Sequence, residues 1–134
     1  MTAPPLRVGV DLVQISTVVA SIERFGDHYL RRIFTDDEIA YARSAPSQAA
    51  ERLAARFAAK EATIKALQMA ELGINLRDIE VRRLPSGTVE LSLHGIAADV
   101  ASRYGKDGLA VSLSHEGDYA MAVVVAGARE HRDS

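Results

Sequence analysis

The sequence predicts a small α+β domain in which an antiparallel sheet packs on one long central helix. Length sets the first limit: 134 residues bury on the order of 65–70% of their unfolded surface and support one hydrophobic core. The second observation is the stretch Leu53–Leu67, rich in alanine and free of Gly and Pro, which is a strong helix former. The third is a set of short alternating or apolar runs near both ends of the chain, two pairs of them joined by tight turns. One domain spanning residues 1–134 is expected, with residues 1–5 and 128–134 as flexible ends.

The first run, Leu6–Val13, alternates as a strand: Leu6, Val8, Val10 and Leu12 share one face, and Arg7, Gly9, Asp11 and Val13 the other. Aspartate is poor strand material. Asp11 either caps a helix starting near Gln14 or Ser16 or serves a bound ion, with Gly9 leaving open space beside it. Ile15, Val18, Val19, Ile22 and Phe25 then recur at helical spacing until Gly26-Asp27 breaks the pattern. Tyr29–Phe34 is short, basic and apolar. Thr35-Asp-Asp-Glu38 is a capping box for a helix through about Ala42.

After the loop Ser44–Ser47, the central helix is expected from Gln48 to a break near Gly73. Asp78–Leu84 and Thr88–Leu93 around Pro85-Ser-Gly87 read as a hairpin. Ile96–Arg103 reads as a helix. Leu109–His115 and Tyr119–Ala126 around Glu116-Gly-Asp118 form a second hairpin. Its last strand is nearly all apolar, hence central or covered on both faces.

Composition removes several functions. The formal net charge of -2 argues against a nucleic-acid binder that relies on phosphate neutralisation. Cysteine is absent, which excludes disulfide scaffolds, zinc thiolates and thiol nucleophiles. No apolar run approaches a membrane span and the N-terminus carries no signal region, so a cytoplasmic protein is expected.

Chemistry concentrates on the central helix. Lys60 points out of the apolar stripe made by Leu53, Phe57, Ile64 and Leu67, Glu61 and Lys65 sit on one shoulder, and Arg52 and Arg56 on the other. These charges are either surface pairs with a snorkelling lysine or ligands for a metal and phosphates. Two carboxylates, Asp11 and Glu61, in a chain without cysteine suit Mg²⁺, which takes few protein oxygens and keeps places for water and phosphate. Arg24, His28, Arg31 and Arg32 form the most basic local region, either a solvated face or a dock for an acidic partner.

Gly9-Val-Asp11, Arg56-Phe-Ala-Ala-Lys-Glu-Ala62 with Lys65-Ala66, and Val111-Ser-Leu-Ser-His115, in this order, resemble the three signatures of the phosphopantetheinyl transferases, of the short bacterial holo-[acyl-carrier-protein] synthase type. The resemblance runs from about Leu6 to Val125 and implies the 4'-phosphopantetheinyl transferase-like fold. It implies transfer of the 4'-phosphopantetheine arm of coenzyme A to a serine of an apo acyl carrier protein, in fatty acid or related biosynthesis, releasing adenosine 3',5'-bisphosphate. Asp11 and Glu61 would hold Mg²⁺, and Lys65 would neutralise the phosphates. Arg56, Lys60, Ser114 and His115 would contact the coenzyme, and the serine proton would go to Glu61, a metal-bound water or His115. A homotrimer with sites between subunits is implied too. The alternative is a subunit that binds coenzyme A or a carrier without turnover.

The chain departs from the family in three places. Thr17, Ala20 and Ser21 stand on the first helix where the family commonly has the basic residues that dock the carrier's acidic recognition helix. Gln14 stands where a Glu is frequent. Leu67–Leu72 carries no Gly where the family often has a Gly-rich turn, which is why the central helix is expected to run on.

Overall fold

A computed structural model of the chain describes residues 4–105 and 108–127. Its elements are β1 (Arg7–Gln14), α1 (Ile15–Phe25), α2 (Asp27–Ile33), α3 (Asp36–Arg43), α4 (Ala49–Ala66), β2 (Ile79–Arg83), β3 (Val89–Leu93), α5 (Gly95–Ala101), β4 (Leu109–Glu116) and β5 (Tyr119–Ala126). The α+β class with a long central helix holds. The strands divide into a three-stranded antiparallel sheet, β1-β5-β4, and the separate hairpin β2-β3. The expected flexible ends lie outside the described residues apart from positions 4 and 5. Among the described residues no helix is long and apolar enough to cross a membrane.

The apolar strand β5 is central, as its composition predicted. Helix α4 lies across the sheet's inner face, where Ala58, Ala59, Ala62 and Ala66 meet Ala122 and Val124. Small residues on both sides let the backbones approach closely. Gly9 marks the tightest point: a Cβ there would clash with the Ala62 carbonyl oxygen and lie 2.7 Å from the Ala66 nitrogen. The space above Gly9 expected from the sequence is therefore filled by the helix backbone.

That packing also fixes which face of β1 looks inward. Gly9 is buried, Asp11 and Val13 are half-buried, and the wholly apolar face looks out, with Leu6 75%, Val8 66%, Val10 50% and Leu12 62% exposed. Alternation was read correctly, but the hydrophobic face is not the one covered within the chain.

Two further boundaries differ from expectation. Tyr29–Ile33 belongs to a helix, α2, with Phe34 as its extended C-cap, Asp27 in its first turn and Arg31 and Arg32 in its last, each placed favourably against the helix dipole. Helix α4 ends at Ala66, well before Gly73. Met69 N–H donates to Ile64 O at 2.9 Å and Gln68 N–H to Lys65 O at 3.2 Å, a Schellman closure. Its left-handed position is held by Gln68, at φ 55, where glycine is the usual choice. Met69 is buried just past the helix end, in a cluster against which Ile64 also packs.

Candidate active site

The approach of α4 to Gly9 sets the chemistry two residues further along β1. Asp11 lies on the same inner face and meets the turn of α4 that carries Glu61 and Lys65. Lys65 Nζ donates to Asp11 Oδ1 at 2.9 Å and to the Val10 carbonyl at 3.0 Å. The ammonium is about half exposed, while the Asp11 carboxylate is largely covered. Burial raises the Glu61 pKa, the negative charge of Asp11 raises it further, and Lys65 opposes both. The charge of Asp11 thus bears on Glu61 while Lys65 bonds Asp11, an arrangement that a cation would relieve.

The donor set fits a magnesium ion. Among the described residues no group of three or more His, Cys, Asp or Glu side chains gathers in a metal-sized cluster. Two carboxylates with no nitrogen or sulfur ligand leave places for water and phosphate oxygens, which is how Mg²⁺ is commonly held.

The remaining expected site residues separate from this trio. Lys60 is a correction: it has 0% exposure, and its ammonium donates to Glu38 Oε1 at 2.8 Å, Leu76 O at 3.0 Å and Ile79 O at 2.6 Å. An ammonium has three donors, so none remains for a coenzyme. Burial lowers the Lys60 pKa and the Glu38 charge opposes that. Glu38 also accepts from Thr35 N–H at 2.8 Å and Val81 N–H at 2.9 Å. The predicted capping box is present, and its glutamate doubles as the buried counter-ion.

Arg56 is five residues from Glu61, about 140° round the helix, and faces away from it. Its guanidinium is buried over the Tyr41 ring at 4.4 Å, beside Arg52 at 4.2 Å and Arg83 at 5.9 Å. Arg83 donates to the Tyr41 hydroxyl at 2.7 Å. Burial raises the phenol's pKa, but the Arg83 bond and the three guanidinium charges outweigh it and leave it lowered. Burial lowers the Arg56 pKa, and its Nε is buried without a partner.

Ser114 and His115 close β4. Ser114 pairs with Met121, and His115 pairs with Ala120. His115 Nε2 lies 3.6 Å from Glu51 Oε2. Glu51 is ten residues before Glu61, roughly 15 Å along the helix, so one chain does not bring His115 to the carboxylates.

The sequence reading missed Asp118. The N-cap of α1 is Gln14, which makes no side-chain capping bond. Asp118, from the β4-β5 turn, accepts from Ser16 N–H at 2.9 Å and Ser16 Oγ at 2.6 Å, and its carbonyl accepts from Ile15 N–H at 2.7 Å. Asp118 therefore does the capping considered for Asp11, which leaves Asp11 available at the site. The Ser16 bond holds the Asp118 pKa down. Gln14 and Tyr119 are register partners, which places the turn beside the helix start, but this contact depends on β1-β5 pairing and no local signal announces it.

Fold and site define a small α+β scaffold with a two-carboxylate, one-lysine centre, and known proteins share the fold. The 4'-phosphopantetheinyl transferase superfamily model matches residues 7–124. A holo-[acyl-carrier-protein] synthase of Gloeobacter violaceus is 42% identical over 118 residues, 88% of this chain and 89% of that one. Another, of Koribacter versatilis, is 44% identical over 121 residues, 90% of this chain and 96% of that one. The structure of a Chronobacterium ammoniagenes ACPS-CoA complex superposes with a TM-score of 0.78 at 35% identity, covering 95% of this chain and 100% of that one. The chain belongs to the 4'-phosphopantetheinyl transferase superfamily and is an enzyme of its holo-[acyl-carrier-protein] synthase type.

Proposed function

We propose that the protein transfers 4'-phosphopantetheine from coenzyme A to a serine of an apo acyl carrier protein, with Mg²⁺ held by Asp11 and Glu61. The observation that carries this reading is the convergence of Asp11, Glu61 and Lys65, which come from a strand and a helix far apart in the chain. The names of the relatives and the coenzyme-bound neighbour support the substrate pair.

A bound magnesium ion would draw charge from the pyrophosphate and make the bisphosphate a better leaving group. Asp11 and Glu61 fix where that charge is drawn. Lys65, half exposed and tethered to Val10 O, presents its ammonium to phosphate oxygens as a positioned charge. The carrier serine oxygen forms a bond to the phosphorus next to the pantetheine arm. The bond from that phosphorus to the bridging oxygen breaks, and adenosine 3',5'-bisphosphate leaves with the electron pair. We assign the serine's proton to the Glu61 carboxylate.

The outward apolar face of β1 is the surface through which copies join, and a homotrimer is the assembly we propose. In that assembly Ser114 and His115 would contact coenzyme A bound by a neighbouring copy, which accounts for their distance from Glu61 within one chain. Arg56 would act on the coenzyme only through its buried group around Tyr41. The cytoplasm, where coenzyme A and carrier proteins meet, is the proposed location.

The test is incubation with coenzyme A, Mg²⁺ and a panel of apo carriers, followed by mass spectrometry of the carriers. Addition of one phosphopantetheine arm, lost on chelation of the metal, is expected. No added arm on any carrier, from folded protein, overturns the reading.

A further inference from the structure

Strand β4 is an edge of its sheet and is laddered only to β5, so backbone bonds hold its last residues from one side. Ser114, His115 and Glu116 are exposed, and so are Gly117 and Asp118 in the turn that follows. Burial therefore does not place the tip of this hairpin. Polar contacts from two other elements do.

The first contact is made by Asp118. One carboxylate oxygen accepts from Ser16 N–H at 2.9 Å, the other from Ser16 Oγ at 2.6 Å, and the Asp118 carbonyl accepts from Ile15 N–H at 2.7 Å. These bonds lock the turn, and with it the end of β4, to the start of α1. The second contact is made by Glu51, in the first turn of α4, whose Oε2 lies 3.6 Å from His115 Nε2. His115, Ala120 and Val13 form one register row, and side chains paired across strands share a face. The imidazole therefore stands on the same inner face as Asp11 and meets α4 there. An exposed pair of this length contributes little to stability, so its removal changes the setting of the ring with little effect on folding.

We propose that Asp118 and Glu51 are positioning residues for His115: Asp118 pins the strand end that carries it, and Glu51 sets its ring from α4, so that the imidazole is presented to coenzyme A held by a neighbouring copy. The inference rests on the proposed shared-site reading and adds what keeps that histidine in place. Both residues act through His115 and neither meets the coenzyme itself.

The test is steady-state kinetics for coenzyme A on the full chain, with an apo carrier that the wild type modifies, in the wild-type and His115→Ala backgrounds. His115→Ala is expected to raise the coenzyme A KM by on the order of tenfold. Asp118→Ala and Glu51→Gln should each raise it by about threefold or more with kcat within about twofold, and should raise it no further in the His115→Ala background, because coupled residues are non-additive. Asp118→Asn keeps an acceptor for Ser16 N–H and a donor for Ser16 Oγ and should stay within about twofold of the wild type. Thr35→Ala, which removes the cap of α3 at a similar cost in stability, should leave the coenzyme A KM unchanged. Should Asp118→Ala not fold, Ser16→Ala removes the Oγ bond alone and is read in its place, with a smaller rise expected. If either positioning variant leaves the KM as it was, or raises it equally with and without His115, the inference is overturned and the transferase reading stands. If His115→Ala itself changes nothing, or the wild type modifies no carrier, the underlying reading falls and this one with it.

Discussion

Glu61 pulls in two directions at once. It must be ionised to hold a cation, yet burial and the Asp11 charge favour its protonated form. Its pKa is raised in the folded state, so the metal-free fold binds more protons than the unfolded chain between the ordinary carboxylate value and the raised one. Stability therefore falls as pH rises through that window. Thermal melts of metal-free protein should show this fall, and Glu61→Gln should flatten it while lowering kcat/KM by on the order of 100-fold or more. A second residue-level strain sits at Gln68, where a left-handed conformation costs a non-glycine residue about 1–2 kcal/mol. Gln68→Gly is expected to stabilise the protein by up to about 1 kcal/mol in urea unfolding; a loss of stability would show that the Gln68 side chain makes a compensating contact. Position 68 also shows what composition hides. Alanine-rich sequence through Ala66 and the absence of glycine until Gly73 predict a longer helix, but Leu67 and Met69 are buried in a cluster with Ile79, Ala97 and Ala101, and that tertiary packing accompanies the turn.

The elements are held by groups whose partners come from elsewhere in the chain. Lys60 and Glu38 join α4 to α3 and β2 in a fully buried pair. Removing one partner strands the other's charge, so Lys60→Ala should cost about 3–5 kcal/mol in chemical denaturation. Metal and coenzyme binding by the fraction that remains folded should be retained. Sequence reading placed Lys60 on the right face and still misassigned it to the coenzyme, because helical angle reports direction and says nothing of what lies opposite. The same limit applied to Gly9, whose role is visible only once α4 is laid on it. Gly9→Ala must push backbone against backbone and should destabilise by about 1–3 kcal/mol; an unchanged melting temperature would contradict the packing described. The trio Asp11, Glu61 and Lys65 was legible because each lies in a run of strong local character, alternation for β1 and alanine-rich helix for α4. The β1-α1 junction was not, since its cap comes from Asp118.

At the scale of the whole molecule the unbalanced feature is the three-stranded sheet. Its inner face is sealed by alanines, and its outer edge strand offers Leu6, Val8, Val10 and Leu12 to water. A contiguous apolar stripe of this kind marks an interaction surface. In the proposed trimer, a charge placed on it should break assembly and, if His115 works across the interface, activity as well. Light scattering is expected to give the mass of three copies for the wild type and of one for Val10→Glu, whose transferase activity should be lost. A wild-type monomer with full activity would remove the shared-site arrangement while leaving the metal centre intact.

The metal centre itself is tested most directly by calorimetric titration of coenzyme A into wild type, Asp11→Asn and Glu61→Gln, each with and without Mg²⁺. Two sites coupled through a shared ion predict that magnesium tightens coenzyme A binding to the wild type by on the order of tenfold or more, and that either substitution abolishes the tightening. Equal affinity with and without the metal, or variants that respond to magnesium as the wild type does, would show that the two carboxylates hold no ion for the coenzyme.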